Sequence, residues 1–200
     1  MLPARAGYAA AVTDQTTMRE VLVEIAVALK ESGLPFALTG GYAAWAHGGP
    51  EPSHDVDFLV REEDSPKVVD ALAERGFLVA DPVEDWLFKV HVRDVLVDVL
   101  HRTNHQTPGD ALRRSGLVQV SSVEVPVLAP TDVVGEQLLA LDERYCDYAT
   151  VLPTLRALRE KLDWPELASR LEGRPFAEAA LFLAERLRLL PGATGEAATG

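Results

Sequence analysis

The sequence predicts an α/β (α+β) fold in which helices flank a small mixed sheet and a C-terminal helical subdomain follows. Three observations predict it. Up to Pro130, short apolar runs of strand length alternate with segments of helical period. From Thr131 onward only the helical period remains. Gly33, the segment Gly48-Gly49-Pro50-Glu51-Pro52 and Gly76 punctuate the first part, where no regular element can continue. Strands interspersed with helices, followed by helices alone, is the pattern of a mixed core with a helical appendage.

The first helix is expected over Thr17–Glu31, with Val21, Leu22, Ile25 and Leu29 at helical spacing and Gly33 ending it. A strand follows at Phe36–Thr39, then a short helix from Gly41 to His47. Asp55–Val60 reads as the next strand and Ser65–Arg75 as a helix closed by Gly76. Trp86–Val92 and Val95–Leu100 read as a hairpin turning at Arg93-Asp94, a turn without the favoured glycine. Ala111–Ser115 makes a short helix, and Leu117–Val120 and Val123–Leu128 are short strands. The helical part comprises Thr131–Arg144, Asp147–Lys161, Trp164–Leu171 and Phe176–Leu189. This divides the chain into a core (1–130), a helical subdomain (131–190) and a tail (191–200) that is disordered by composition, with a loose start over 1–13.

A hydrophobic share of 48% and a charged share of 25% are those of a globular protein, and no apolar run is long enough for a membrane span. The lone cysteine, Cys146, permits no internal disulfide and fits a reducing compartment, so a cytoplasmic location is expected. With 19 Lys+Arg against 31 Asp+Glu the net charge is −12, which counts against non-specific nucleic-acid binding.

The chemistry-bearing residues come in a telling order. Gly40-Gly41 closes an apolar strand and opens a helix, a place where backbone N–H groups cradle phosphate. Asp55 and Asp57 lie two apart at the start of the next strand, a spacing that turns both carboxylates to one side. Carboxylates held so close repel unless a cation sits between them, and Mg2+ is the usual one. Asp98 interrupts the otherwise apolar run Val95–Leu100 and must find an edge, a partner or a metal. If its strand neighbours Asp55–Val60, three acids meet at one end of the sheet. Together they would hold metal at triphosphate oxygens, with Asp98 also acting as the base.

The run LTGGYAAWAHGGPEPSHDVDFLV, with the later VLVDVL, resembles the polymerase-β-type nucleotidyltransferase superfamily. Pro130-Thr131-Asp132-Val133-Val134, Leu138-Leu139-Ala140-Leu141, Arg144 and Asp147 are similar in order to a helical segment of its AbiEii/MenT toxin group. The resemblance spans roughly residues 36 to 150. It implies a nucleotidyltransferase fold, Mg2+, a nucleoside triphosphate co-substrate, a tRNA 3′ end as acceptor and an antitoxin protein as partner. Carried over by residue, it implies Gly40 and Gly41 as the phosphate turn and Asp55, Asp57 and Asp98 as metal ligands. Asp147 becomes a further acid near the substrate. The chain departs from the group in having Gln137 where Lys is common and Glu51 where Arg is common. Lys89, Arg61 and Arg144 are the candidate substitutes for triphosphate neutralisation.

Thr39 and Ser53 flank these motifs, and either hydroxyl could touch phosphate or accept one as an inactivating modification, although a local turn bond explains each as well. His54, His91, His101 and His105 lack the spacing of a zinc set with Cys146; His101-Arg102 and His105 follow the Asp98 strand and could line the mouth of the site, although exposed loop residues explain them equally well. Trp45, Phe58 and Phe88 read as core. The acidic balance makes transfer to a small cationic molecule the alternative to tRNA, and a catalytically silent member of the same fold is the third reading.

Overall fold

The computed structural model describes residues 15–53, 55–80, 85–103 and 106–190. The expectations for the N-terminal start, for His54 and His105 and for the tail lie outside these residues.

Helix α1 (Gln15–Ser32) buries Met18, Val21, Leu22, Ile25 and Leu29 along one face and stops at Gly33, whose φ of 72° is the left-handed C-terminal conformation that glycine favours. Strand β1 (Phe36–Thr39) runs into α2 (Gly40–Ala46) without an intervening loop, and β2 (Val56–Val60) returns antiparallel to β1. Helix α3 (Ser65–Glu74) lies against α1, closes through Gly76 and leads to β3 (Leu78–Ala80). The hairpin β4 (Leu87–Val92) and β5 (Val95–Leu100) turns at Arg93, where φ is 54°. Helix α4 (Pro108–Arg114) precedes a second hairpin, β6 (Gly116–Val120) and β7 (Val123–Val127). Four helices follow: α5 (Pro130–Leu139), α6 (Tyr148–Leu158), α7 (Trp164–Arg170) and α8 (Pro175–Arg186).

The seven strands form one mixed sheet in the order β3-β4-β5-β2-β1-β7-β6. The parallel contacts are β2 with β5 and β1 with β7; the rest are antiparallel. Val56, Phe58, Val97 and Val99 are completely buried on one face of the central pair, and Phe58 meets Phe36 with ring centroids 6.1 Å apart. Helix α5 packs against α2, α6, α7 and α8. Its Asp132, only 1% exposed, receives Arg114 Nε at 3.0 Å and Nη2 at 2.8 Å from α4, and Arg170 Nη1 at 2.6 Å from α7. One buried carboxylate thus ties together three helices, and both guanidiniums are needed to offset its desolvation.

Several boundaries differ from the sequence expectations. The strand expected from Asp55 begins at Val56, because Asp55 takes a left-handed φ of 62° that no strand residue adopts. The helix expected over Thr131–Arg144 ends at Leu139; beyond it, the Asp142 carboxylate accepts from the N–H groups of Arg144 and Tyr145 and holds a turn instead. Strand β3 was not expected: Leu78 is exposed, so it shows no buried face, and it exists through its pairing with β4. The helix expected at Ala111–Ser115 starts at Pro108, where Thr107 Oγ1 accepts from Asp110 N–H and Pro108 occupies the first turn.

Candidate active site

The topology aligns four polar residues in one row across the sheet. Thr39 on β1 is registered with Asp57 on β2, Asp57 with Asp98 on β5, and Asp98 with Lys89 on β4. Registered neighbours project to the same face, so the row Lys89–Asp98–Asp57–Thr39 is continuous. Lys89 Nζ donates to Asp98 Oδ1 at 2.7 Å, which supplies the partner that a carboxylate in an apolar strand requires. All three ionisable members of the row are half-buried.

The glycine turn is fitted to this row. Gly40 has φ of 63°, and a Cβ placed on it would overlap Asp57 Oδ2 and lie 2.9 Å from Asp57 Cγ. Glycine is required there twice, for the backbone conformation and for room for a carboxylate. A Cβ on Gly41 would lie 2.9 Å from Cβ of Pro52, so the segment before Asp55 packs directly on the turn. That segment is held from the other side by Glu51, which accepts from Arg19 Nε at 2.6 Å, while the Arg19 guanidinium lies 5.3 Å from the centre of the Trp45 ring.

Two adjoining cavities flank the turn. One, of ≈ 640 Å³, is lined by Thr39, Gly40, Asp57 and Asp98 together with apolar side chains and the exposed indole of Trp86. The other, of ≈ 970 Å³, is lined by Gly41, Ser53, Asp55, Arg144, Cys146 and Asp147, among others. Gln137 and Ala140 line both and form the partition.

The structure therefore brings Asp57 and Asp98 side by side, and it sets Asp55 in the neighbouring cavity. The strand alternation expected to align Asp55 with Asp57 does not operate, since Asp55 precedes the strand in a left-handed conformation. Among the described residues no three His, Cys, Asp or Glu side chains are grouped closely enough to hold a metal ion. The Asp57–Asp98 pair is nonetheless of the hard-oxygen type that Mg2+ accepts. Asp147 caps α6, its Oδ1 accepting from Ala149 N–H at 2.9 Å, and like Arg144 it lines the larger cavity. Arg61 lies 3.9 Å from Asp64 and lines neither cavity.

The family model for uncharacterised nucleotidyltransferases matches residues 4–193. The chain belongs to that family. It is a nucleotidyltransferase, and its mixed sheet and helices have a nucleotidyltransferase fold. The solution structure of the antibiotic-resistance factor ANT(2'')-Ia is 18% identical, with a TM-score of 0.52 over 88% of this chain and 96% of that one. A crystal structure of ANT(2'')-Ia in complex with adenylyl-2''-tobramycin is 18% identical, with a TM-score of 0.50 over 86% and 94%. An antigenic nucleotidyltransferase-like protein from Paracoccidioides brasiliensis is 14% identical, with a TM-score of 0.51 over 82% and 92%. These likenesses are of fold. By sequence, no curated protein matches the chain.

Sequence reasoning missed two residues that line the smaller cavity of this nucleotidyltransferase, Trp86 and Glu136; Arg102, which follows the Asp98 strand and was expected at the site mouth, lines it as well. The signal for Trp86 was present. It immediately precedes the strand that pairs with the Asp98 strand, and its carbonyl accepts from the N–H groups of His101 at 3.0 Å and Arg102 at 3.3 Å. A tryptophan at that position continues the hairpin ladder and ends beside the acid row.

Proposed function

We propose that this nucleotidyltransferase moves the nucleoside monophosphate of a nucleoside triphosphate onto a hydroxyl of a small molecule, with release of pyrophosphate. The observation that carries the reading is the in-register pair Asp57 and Asp98, with Gly40 shaped around the Asp57 carboxylate. In the transfer, the acceptor oxygen forms a bond to the α-phosphorus. The bond from that phosphorus to the bridging oxygen breaks, and pyrophosphate leaves with the electron pair. The hydroxyl proton passes to the Asp98 carboxylate, which Lys89 orients, and from there to water.

Asp57 and Asp98 would hold Mg2+. When bound, the ion supplies charge neutralisation at the triphosphate. The larger cavity suits the triphosphate, with Gly41 and Ser53 as neutral contacts and Arg144 as the cation, while Thr39 and Gly40 line the smaller one beside the acid row. Asp142 holds the Arg144 segment through the N–H groups of Arg144 and Tyr145, and Asp147, which caps α6, is a further acid of that cavity. In this reading residues 1–130 carry the catalytic row and residues 131–190 close both cavities through Gln137 and Ala140.

The size of the smaller cavity, ≈ 640 Å³, falls in the range of about 300–1,000 Å³ typical of small-molecule sites, and the chain's charge of −12 opposes a polyanion. The complex of the similarly folded ANT(2'')-Ia with adenylyl-2''-tobramycin is an example of a small acceptor on this fold. The test is incubation with α-labelled nucleoside triphosphates, Mg2+ and either a small-molecule library or total tRNA. Label on a small molecule supports the reading. Label on tRNA alone transfers the protein to the toxin reading, with an antitoxin as its partner. No label with any acceptor removes the catalytic reading.

A further inference from the structure

We infer that Trp86 is a specificity-determining residue, and that the smaller cavity selects an alcohol with an apolar or aromatic face and no negative charge. The inference rests on the function proposed above and deepens it by naming the acceptor class.

Four observations lead to it. Trp86 is 42% exposed, whereas Trp164 is 9% exposed and Trp45 is packed beneath Arg19, so Trp86 is the indole available to a ligand among the three tryptophans. Its backbone carbonyl accepts from the N–H groups of His101 and Arg102 at the strand exit, which fixes the backbone of Trp86 beside the cavity that it lines. The remaining wall carries Leu59, Leu100, Leu128 and Val133, of which Leu59, Leu128 and Val133 are at most 1% exposed. An exposed indole and aliphatic side chains lining one cavity form a slot suited to a flat or apolar body.

Charge supplies the fourth observation. Asp57, Asp98 and Glu136 line the cavity, and the guanidinium of Arg102 donates to Glu62 Oε1 and Asp85 Oδ2, each at 2.8 Å. The Lys89 ammonium is likewise engaged by Asp98. Among the described residues, Arg102 and Lys89 are thus already engaged by carboxylates, and an anionic acceptor would bring its charge beside Asp57, Asp98 and Glu136. An acceptor that stacks its apolar face on Trp86 presents its hydroxyl toward the acid row, where the reacting oxygen belongs.

The test uses the full chain, labelled with 15N at the indole nitrogens, titrated at millimolar concentration with 1-phenylethanol, mandelate and sorbitol. These share a hydroxyl; the second adds a negative charge and the third lacks an apolar face. The expected result is a selective shift of one indole signal with 1-phenylethanol, assigned to Trp86 by its loss in Trp86→Phe. Ligand-observed measurements should show about tenfold weaker binding to Trp86→Ala and near-native binding to Trp86→Phe. No shift with 1-phenylethanol, or equal shifts with mandelate or sorbitol, would overturn the inference. Unchanged affinity in Trp86→Ala would do the same. Separately, calorimetry of the unmodified protein with Mg2+ and a non-hydrolysable nucleoside triphosphate tests the underlying transferase reading: nucleotide binding without an indole shift sinks only the acceptor class, and no nucleotide binding sinks the transferase reading.

Discussion

Gly40 and Asp57 occupy space that a single methyl group would contest: a Cβ on Gly40 would stand 2.9 Å from Asp57 Cγ, and the backbone there already has φ of 63°. Gly40 opens α2 directly after Thr39, which is paired with Asp57 across β1 and β2. Gly40→Ala is therefore expected to displace the carboxylate and lower transfer by about 100-fold or more. Gly33→Ala is the comparison, since Gly33 also has positive φ but a Cβ there would meet nothing within 4 Å. It should lose about 1 kcal/mol of stability and keep its activity. Equal activity in both variants, measured beside their thermal unfolding, would show that Asp57 has no catalytic part.

Asp57→Asn and Asp98→Asn should each reduce transfer by roughly 10²–10⁴-fold, the range for removing a positioned acid–base or charge-bearing group. Both positions are half-buried, and the Lys89–Asp98 pair is partly open to water. Their denaturant midpoints should move by the equivalent of no more than about 1 kcal/mol. A fully active Asp98→Asn protein would dismiss the row as the reaction centre.

Asp132 is expected to matter for stability. Its carboxylate is buried under Arg114 and Arg170, so Asp132→Ala leaves two guanidiniums without their shared partner. A loss of about 3–5 kcal/mol in urea unfolding is expected, the scale for breaking a buried charge cluster. Arg114→Met should cost less, because Arg114 is the more exposed of the two and Arg170 remains. A stable Asp132→Ala protein would mean that the cluster is not what joins α4, α5 and α7.

His47 introduces an acid sensitivity. Its Nε2 lies 2.8 Å from the Leu128 carbonyl, which can only accept, so that nitrogen carries the proton. Burial holds the imidazole below its ordinary value of 6.5, against the favourable effect of that hydrogen bond, and Lys161 adds to the lowering. Burial lowers His101 as well. The folded state thus favours neutral imidazole: the contribution is complete above pH 6.5 and is lost as pH falls through and below that value. Melting temperature should decline between neutral pH and about pH 5, and His47→Gln should flatten the decline. An identical pH profile in that variant would assign the effect elsewhere.

Much of the fold was legible because it rests on local signals. Leu22, Ile25 and Leu29 recur at helical spacing, Phe36–Thr39 is short and apolar, and Gly76 stops a helix; each depends on neighbours within a few residues. The failures are equally specific. Leu78 shows no burial pattern because its strand exists through pairing alone. Asp55 looks like a strand residue by composition, yet the Gly41–Pro52 packing and the Arg19–Glu51 ion pair hold the segment that leads into it.

The acid row makes the same division. That Asp98 needed a partner followed from one carboxylate among valines and leucines, since burial without one is costly. Which partner it found, and that Asp57 would stand next to it, required β2 and β5 to pair in parallel at one register. Amino-acid order determines where helices and strands can form and which residues have chemistry to offer, because propensity and periodicity act over a few residues. Tertiary structure alone decided that Asp57, Asp98 and Trp86 share a cavity while Asp55 opens into the next one. Strand pairing joins residues that lie tens of positions apart, and no local pattern records that register.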